Sequence, residues 1–405
     1  MAAKEVRFSG DARERMLRGV DTLALERADT TERENGAARP PPDSAPRVLS
    51  ARRHDAPRPS AAAVRLKDAH QRAQVKADGE PELGVVVIGR NEGARLRRSL
   101  MTIAPLGYPY VYVDSGSIDD SLCIAEELGA ETISLTPDAP FTAARGRNAG
   151  FRHLCSKYRS LRYVQFVDGD CELTTEWLPA AVRFLAERPD VAIVCGELKE
   201  RHPDASIYNA LCELEWAGPT GEIGECGGIA LMRAEPVMAV DGYREDLISG
   251  EEPDLCFRLR RSGWHIWRLP VQMAWHDAGM TRFAQWWRRM VRSGHGYTRG
   301  LFYVDSPERR ACIRHVSASL LWGAALPLGI LLTAALWNPM ALLLLVIYPL
   351  QIARIKWRAS KGGLAALGWT RALFTVLDKF PHAIGILKFL SQHATNRRPQ
   401  LIEYK

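Results

Sequence analysis

The sequence has no two cysteines at C-x-x-C spacing. Its eight, Cys123 to Cys312, are scattered, so neither a zinc ribbon nor a disulfide framework is expected and the thiols are read as reduced. No basic ladder interleaved with stacking aromatics occurs, which argues against a nucleic-acid partner despite a formal net charge of +7. The opening MAAKEVRFSGDARER lacks the apolar core of a secretory signal, so export of the globular part of the chain is not expected. Residues 1–80 hold one aromatic, Phe8, and the run Arg39-Pro40-Pro41-Pro42. A segment so poor in apolar surface cannot offset its chain entropy and is expected to be a disordered arm, with a short helix near 13–25.

A different absence marks the other end. Val316 to Ala353 contains no charged residue, a run well beyond the roughly 20 residues that one membrane crossing needs. Asn338-Pro339 interrupts it where a turn would fall, giving a helical hairpin of about 316–337 and 340–356 within a membrane region, 306–405. Arg309, Arg310 and Arg314 precede the run, and Arg354, Lys356, Arg358 and Lys361 come after it, so both ends are expected on the cytoplasmic face of an inner membrane. The stretch 364–390 is also apolar but carries Arg371, Asp378, Lys379 and Pro381. It is expected to be an interfacial amphipathic helix.

Between these regions the chain is ordinary globular protein, and 405 residues with 46% hydrophobic suffice for a large core. From Leu83 short apolar runs alternate with helix-length stretches: 85–88, 111–113, 132–135, 163–167 and 191–194. Near-continuous apolar strands separated by helices predict an α/β domain on a mostly parallel sheet, over about 81–305. Polar residues stand just past the strand ends: Asn91 and Glu92 after the first, Asp114 and Ser115 after the second, Asp168 and Asp170 after the fourth. In an open parallel sheet the carboxyl ends line one crevice, so these side chains are expected to converge on a ligand. Two carboxylates one residue apart, in FVDGD, repel each other unless a cation, a ligand or water relieves them. A plain turn is the alternative.

The segment Glu251-Glu252-Pro253-Asp254 precedes a helical stretch. By itself it reads equally as negative charge at a helix's positive end. The order of motifs says more: VVVIGRNEG (85–93), VDSGSIDDS (113–121), ARGRNAG (144–150), FVDGD (166–170), GGIALMRAEPVMAVDGY (227–243), GEEPDLCFRLRRSGW (250–264) and AWHDAG (274–279). Together these resemble the family 2 glycosyltransferases of the GT-A fold, over about residues 83–300.

The resemblance implies transfer of a sugar from a nucleoside diphosphate to a hydroxyl with inversion, assisted by Mg²⁺ or Mn²⁺ at hard oxygen ligands. It implies that Asp170 binds the metal, that Asp168 touches the ribose or the metal's water shell, and that His276 is a third metal or diphosphate ligand. Mn²⁺ is favoured if the histidine ligates; a structural histidine is the alternative. Asp114 matches the residue that accepts from the donor's base, or caps the helix after it. Asn91 and Glu92 lie where relatives contact the nucleotide. Arg145, Arg147 and Asn148 open a helix beside the crevice, where an arginine grips phosphate or caps a solvated face. Glu252 matches the general base, with Glu251 and Asp254 as alternatives because the second acid is Glu and Pro253 is unusual. Arg288 and Arg292 share a helix face that clamps diphosphate or meets anionic lipid. A lipid-linked saccharide acceptor in envelope or extracellular polysaccharide synthesis fits the membrane hairpin. A polyprenyl-phosphate sugar synthase, or an inactive membrane assembly subunit, are the rival readings.

Overall fold

The computed structural model describes residues 81–302, 307–360 and 368–395. The arm expected over 1–80, including its short helix, lies outside the described residues. From Pro81 onward the chain builds a nine-stranded sheet in the order β3-β2-β1-β4-β8-β6-β9-β5, with β7 paired to β9. The strands are β1 Leu83–Gly89, β2 Tyr110–Asp114, β3 Glu131–Ser134, β4 Tyr163–Asp168, β5 Cys171–Leu173, β6 Val191–Glu200, β7 Gly221–Glu222, β8 Ala230–Arg233 and β9 His265–His276.

The first four in sequence pair in parallel, as their buried apolar runs require. The sheet then becomes mixed, because β8 enters antiparallel between β4 and β6. Only β6 and β9 pair in parallel beyond it. The insertion places Gly228, just ahead of β8, beside the end of β4.

Register explains why the strand-end polar residues meet. Gly89 faces Asp114 on one side, and Ile88 faces Asp168 on the other. His276, at the end of β9, lies between Cys171 of β5 and Glu200 of β6. The helix α3, Ala143–Lys157, lies close on this sheet; its predecessors are α1, Ala94–Ile103, and α2, Ser121–Glu127. A Cβ on Gly150 would come within 2.5 Å of Val86 Cγ1 and one on Gly146 within 3.3 Å of Ile88 Cγ2. Two glycines one turn apart thus let α3 settle on β1, which carries Arg147 to the sheet's carboxyl edge.

Beyond α4, Trp177–Glu187, α5, Ile207–Trp216, and α6, Ala234–Ala239, comes α7, Glu251–Arg261. It starts at left-handed Gly250 (φ 85°), with Glu251, Glu252 and Asp254 in its first turn and Arg258, Arg260 and Arg261 in its last. That charge order suits the helix dipole at both ends. The next helix, α8, runs over Phe283–Arg299.

Two helical stretches, Arg309–Leu336 and Pro339–Ala359, are long and apolar enough to cross a membrane, with mean hydropathies of 1.9 and 1.5. The first comprises α9, Pro307–Leu320, a π-helical turn and α10, Leu326–Leu336; the second ends in α11, Ile347–Ser360. Between them Asn338 accepts from the Met340 amide at 2.9 Å, with Pro339 at the first helical position. Leu328, Leu331, Leu336 and Leu343 stand exposed. The described part of 364–390 is two helices, α12 Gly368–Leu377 and α13 Lys379–Ala394, separated at Asp378. Helix α13 packs on α8 backbone to backbone: a Cβ on Gly385 would overlap the Val291 carbonyl, and one on Gly294 the His382 carbonyl.

Candidate active site

A cavity of about 440 Å³ opens at the carboxyl edge of the sheet. Asn91, Glu92, Arg147, Asp168, Asp170, Glu251, Glu252, His276 and Arg292 all line it. These side chains, from three strand ends and three helices, therefore share one hollow.

Its centre is Arg147. The guanidinium is 3% exposed and pairs with three carboxylates at once: Asp168 Oδ1 at 2.9 Å, Glu252 Oε1 at 2.9 Å and Glu251 Oε1 at 3.2 Å. A buried cation is costly unless paired, and one partner would not satisfy a fork of five donors. Burial opposes the charge of Arg147, but Asp168, Glu252 and Glu251 outweigh it and hold the group firmly protonated. Gly228 leaves room for this fork, since a Cβ there would overlap Nη2.

Glu252 occupies the opposite situation. Its side chain is 15% exposed, and burial, together with repulsion from Glu251, pushes its pKa up to about 7, with Arg147 pulling the other way. A carboxylate poised there suits a general base near neutral pH.

A second cluster lies where β5, β6 and β9 end. Asp170 is buried, and its Oδ2 lies 3.4 Å from His276 Nε2. Ligands at about 2.1 Å in adjacent octahedral positions sit about 3 Å apart, so the pair has the spacing of two ligands on one small divalent ion. On the other side of the ring, Nδ1 is buried without a hydrogen bond, with Glu200 Oε2 at 3.6 Å. A carboxylate behind a ligating histidine is the arrangement that orients it. Trp216 packs edge-on against the ring at 4.4 Å. Cys171 lies in the same cluster, but burial drives its pKa well up and its thiol donates to Asp170 Oδ1 at 3.4 Å. We therefore count it as packing. The residues present fit a divalent ion held by Asp170 and His276.

The other expected residues divide. Asn91 sits at a positive φ of 55°. Its side chain accepts from the Ile118 amide, while Glu92 pairs with Arg95 at 2.9 Å. Asp114 is buried and does not line the cavity; its Oδ2 accepts from the Gly116 and Ser117 amides at 2.9 Å, holding the loop into α2. Asn148 is likewise off the cavity, bonded to both backbone groups of Tyr243. Asp254 pairs with Arg258 at 2.8 Å, and Arg258 in turn donates to Gly242. Arg145 staples the loop at Thr136, Asp138 and Ala139.

On α8 the exposed Arg288 is not among the lining residues. Arg289 and Arg292 line the cavity instead, Arg289 donating to Glu215 Oε2 at 2.6 Å and Arg292 to the Ile248 carbonyl at 3.1 Å. Glu200, Ser249 and Phe141 carry no expectation from the sequence, whereas Arg289 shares a helix face with Arg292 less closely than Arg288 does. Glu200 had a usable signal, being a carboxylate at the end of an apolar strand. Arg289 had the weaker i,i+3 spacing to Arg292, and only helix phase separates it from Arg288.

Comparison with known proteins agrees with this architecture. Residues 84–212, about a third of the chain, match the family described as Glycosyl transferase family 2. It is 25% identical over 244 residues to the Pre-mycofactocin glycosyltransferase of Mycobacterium tuberculosis, strain CDC 1551 / Oshkosh, with the same figures for strain ATCC 25618 / H37Rv. The match covers 57% of this chain and 49% of the relative, so the chain spans about half the length of the curated relatives it matches. Among solved structures it shares its fold with the mannosyltransferase PcManGT from Pyrobaculum calidifontis, solved with GDP-Man and Mn²⁺. The TM-score is 0.50 at 20% identity, covering 80% of this chain and 97% of that one.

Proposed function

We propose that the protein is an inverting glycosyltransferase. It moves a sugar from a nucleoside diphosphate to a hydroxyl of a lipid-linked saccharide, at the cytoplasmic face of an inner membrane and in the service of envelope or extracellular polysaccharide. The observation that carries the reading is the single cavity holding Asp168, Asp170, His276 and Glu252, with Arg147 fixing two of the carboxylates. The mannosyltransferase with the same fold was solved with a nucleotide sugar and Mn²⁺, which supports the donor class.

Asp170 and His276 would hold the metal, and a mixed oxygen and imidazole set favours Mn²⁺ over Mg²⁺. When bound, the ion supplies positive charge to the departing diphosphate. Glu252 accepts the proton of the attacking hydroxyl, and its raised pKa gives it basicity that an exposed carboxylate lacks. Arg147 holds Glu252 and Asp168 in fixed positions through the two ends of its fork. Arg289 and Arg292 place preorganised positive charge on the α8 wall. Candidate spans exposing leucines throughout suit an anchored enzyme, which meets a lipid-borne acceptor on one surface.

The test is a donor panel on membranes carrying wild type or Asp170→Asn, with and without chelator, scored for nucleoside diphosphate release. Release that needs both Asp170 and metal is expected; chelator-insensitive release removes the metal from the account. A polyprenyl-phosphate synthase uses an already ionised nucleophile, so undiminished transfer by Glu252→Gln would favour that reading. No nucleotide binding with Mn²⁺ would favour an inactive assembly subunit.

A further inference from the structure

We propose that a second chamber, on the far side of Glu252, receives the acceptor, and that it is shaped for a glycolipid whose sugar end reaches Glu252 while its anchor leaves along the first apolar helix. The inference rests on the reading of Glu252 as the base.

The second chamber has a volume of about 800 Å³. Ser249, Glu252, Arg289 and Ser293 line both it and the donor cavity, so a molecule in the second chamber meets the first at the proposed base. None of Asp168, Asp170 or His276 faces it. The two hollows thus differ in what they hold: the first gathers the candidate metal ligands with Arg147 and Arg292, whereas the second has none of these and is lined by Glu215, Glu225, Glu252 and Arg289. Its near wall is the loop 224–227 and the start of α7. Its far wall is Ala311, Cys312 and His315 on α9.

That far wall identifies the occupant. Helix α9 continues into the apolar stretch that ends at Leu336, with mean hydropathy 1.9. Leu321, Leu328 and Leu332 stand exposed along it. A chamber that starts at a carboxylate and ends on such a helix joins a polar site to an apolar surface. A free saccharide needs no such exit; a saccharide on a lipid does.

Gly227 provides a direct probe. It lines the chamber, and a Cβ there meets nothing within 4 Å, so a larger side chain fills open space without displacing the fold. Full-length protein in detergent is given the active donor, radiolabelled in the sugar, with a chloroform–methanol lipid extract of the producing cells; a parallel arm supplies water-soluble saccharides. Along Gly227→Ala, Gly227→Leu and Gly227→Trp, label entering the organic phase is expected to fall with side-chain size, by roughly 10- to 100-fold at Trp. The nucleoside diphosphate Kd with Mn²⁺ stays unmoved. As an independent measurement, a bulky thiol reagent on Cys312 blocks the same transfer, and Cys312→Ser removes the reagent's effect.

Wild-type transfer in the Trp variant overturns the chamber, and so does loss of nucleotide affinity in step with loss of transfer. Label appearing only in water-soluble products overturns the glycolipid. Glu252→Gln with full transfer would instead sink the base assignment, leaving the Gly227 series to decide the chamber separately.

Discussion

Replacing Arg147 by methionine removes one buried cation from three carboxylates while keeping an unbranched apolar stem. Glu251 and Glu252 are only 4% and 15% exposed, and Asp168 is 34% exposed. Breaking a buried ion pair from one side costs about 3–5 kcal/mol, and that range is the expected loss of stability near neutral pH. The loss has a defined pH dependence. Glu252 titrates near 7 rather than at its ordinary 4.5, so the folded state binds this proton more tightly than the unfolded state. The stability it contributes is complete below 4.5 and declines as pH rises through about 7. Arg147 restrains that rise; without it the folded-state pKa climbs further and the decline deepens and extends to higher pH. The variant is therefore expected to lie closest to wild type at about pH 5 and furthest from it at about pH 8 in denaturant unfolding. In kinetics, the acidic limb of the pH–rate profile should move upward by about one unit or more, each unit being about 1.4 kcal/mol. Arg147→Lys keeps a charge but not the fork, and should fall between. A stability loss independent of pH, with an unmoved acidic limb, would refute the reasoning.

Close contacts and ligand geometry set three other expectations. Gly228→Ala puts a methyl group where Arg147 Nη2 lies, so it should cost roughly 1–3 kcal/mol and reproduce the pH shift of Arg147→Met; an unshifted profile would count against it. His276→Ala should weaken Mn²⁺ binding, read by paramagnetic resonance, about 10-fold or more, whereas Glu200→Gln, behind the ring, should weaken it less. Gly385→Ala pushes α13 from α8, where a Cβ overlaps the Val291 carbonyl. Because α8 carries Arg289 and Arg292, nucleotide affinity should drop, and unchanged affinity would show that the helix contact does not set the cavity wall.

The sequence by itself determined the elements and the chemistry at their ends. Short apolar runs separated by helix-length stretches read as strands of a covered sheet, and a strand that ends in Asp168 presents that acid at the sheet's edge. The apolar length from Val316 to Ala353 likewise made long helices unavoidable among the described residues. Tertiary structure decided which of these groups act together. Arg147 reads in sequence like any helix-opening arginine. It became the hub because Gly146 and Gly150 let α3 sink onto β1, and because antiparallel β8 brings Gly228 beside it. Asp114 and Asp254 have the composition of ligands yet are held by a loop and by Arg258. Arg289, not Arg288, reaches the cavity, and Cys226 and Cys256, 30 residues apart, lie with sulfurs 3.6 Å from each other. The physical reason is common to all of these. Periodicity is a local property fixed by backbone geometry, whereas partnership between side chains depends on how closely two elements approach, which is set by packing across distant parts of the chain.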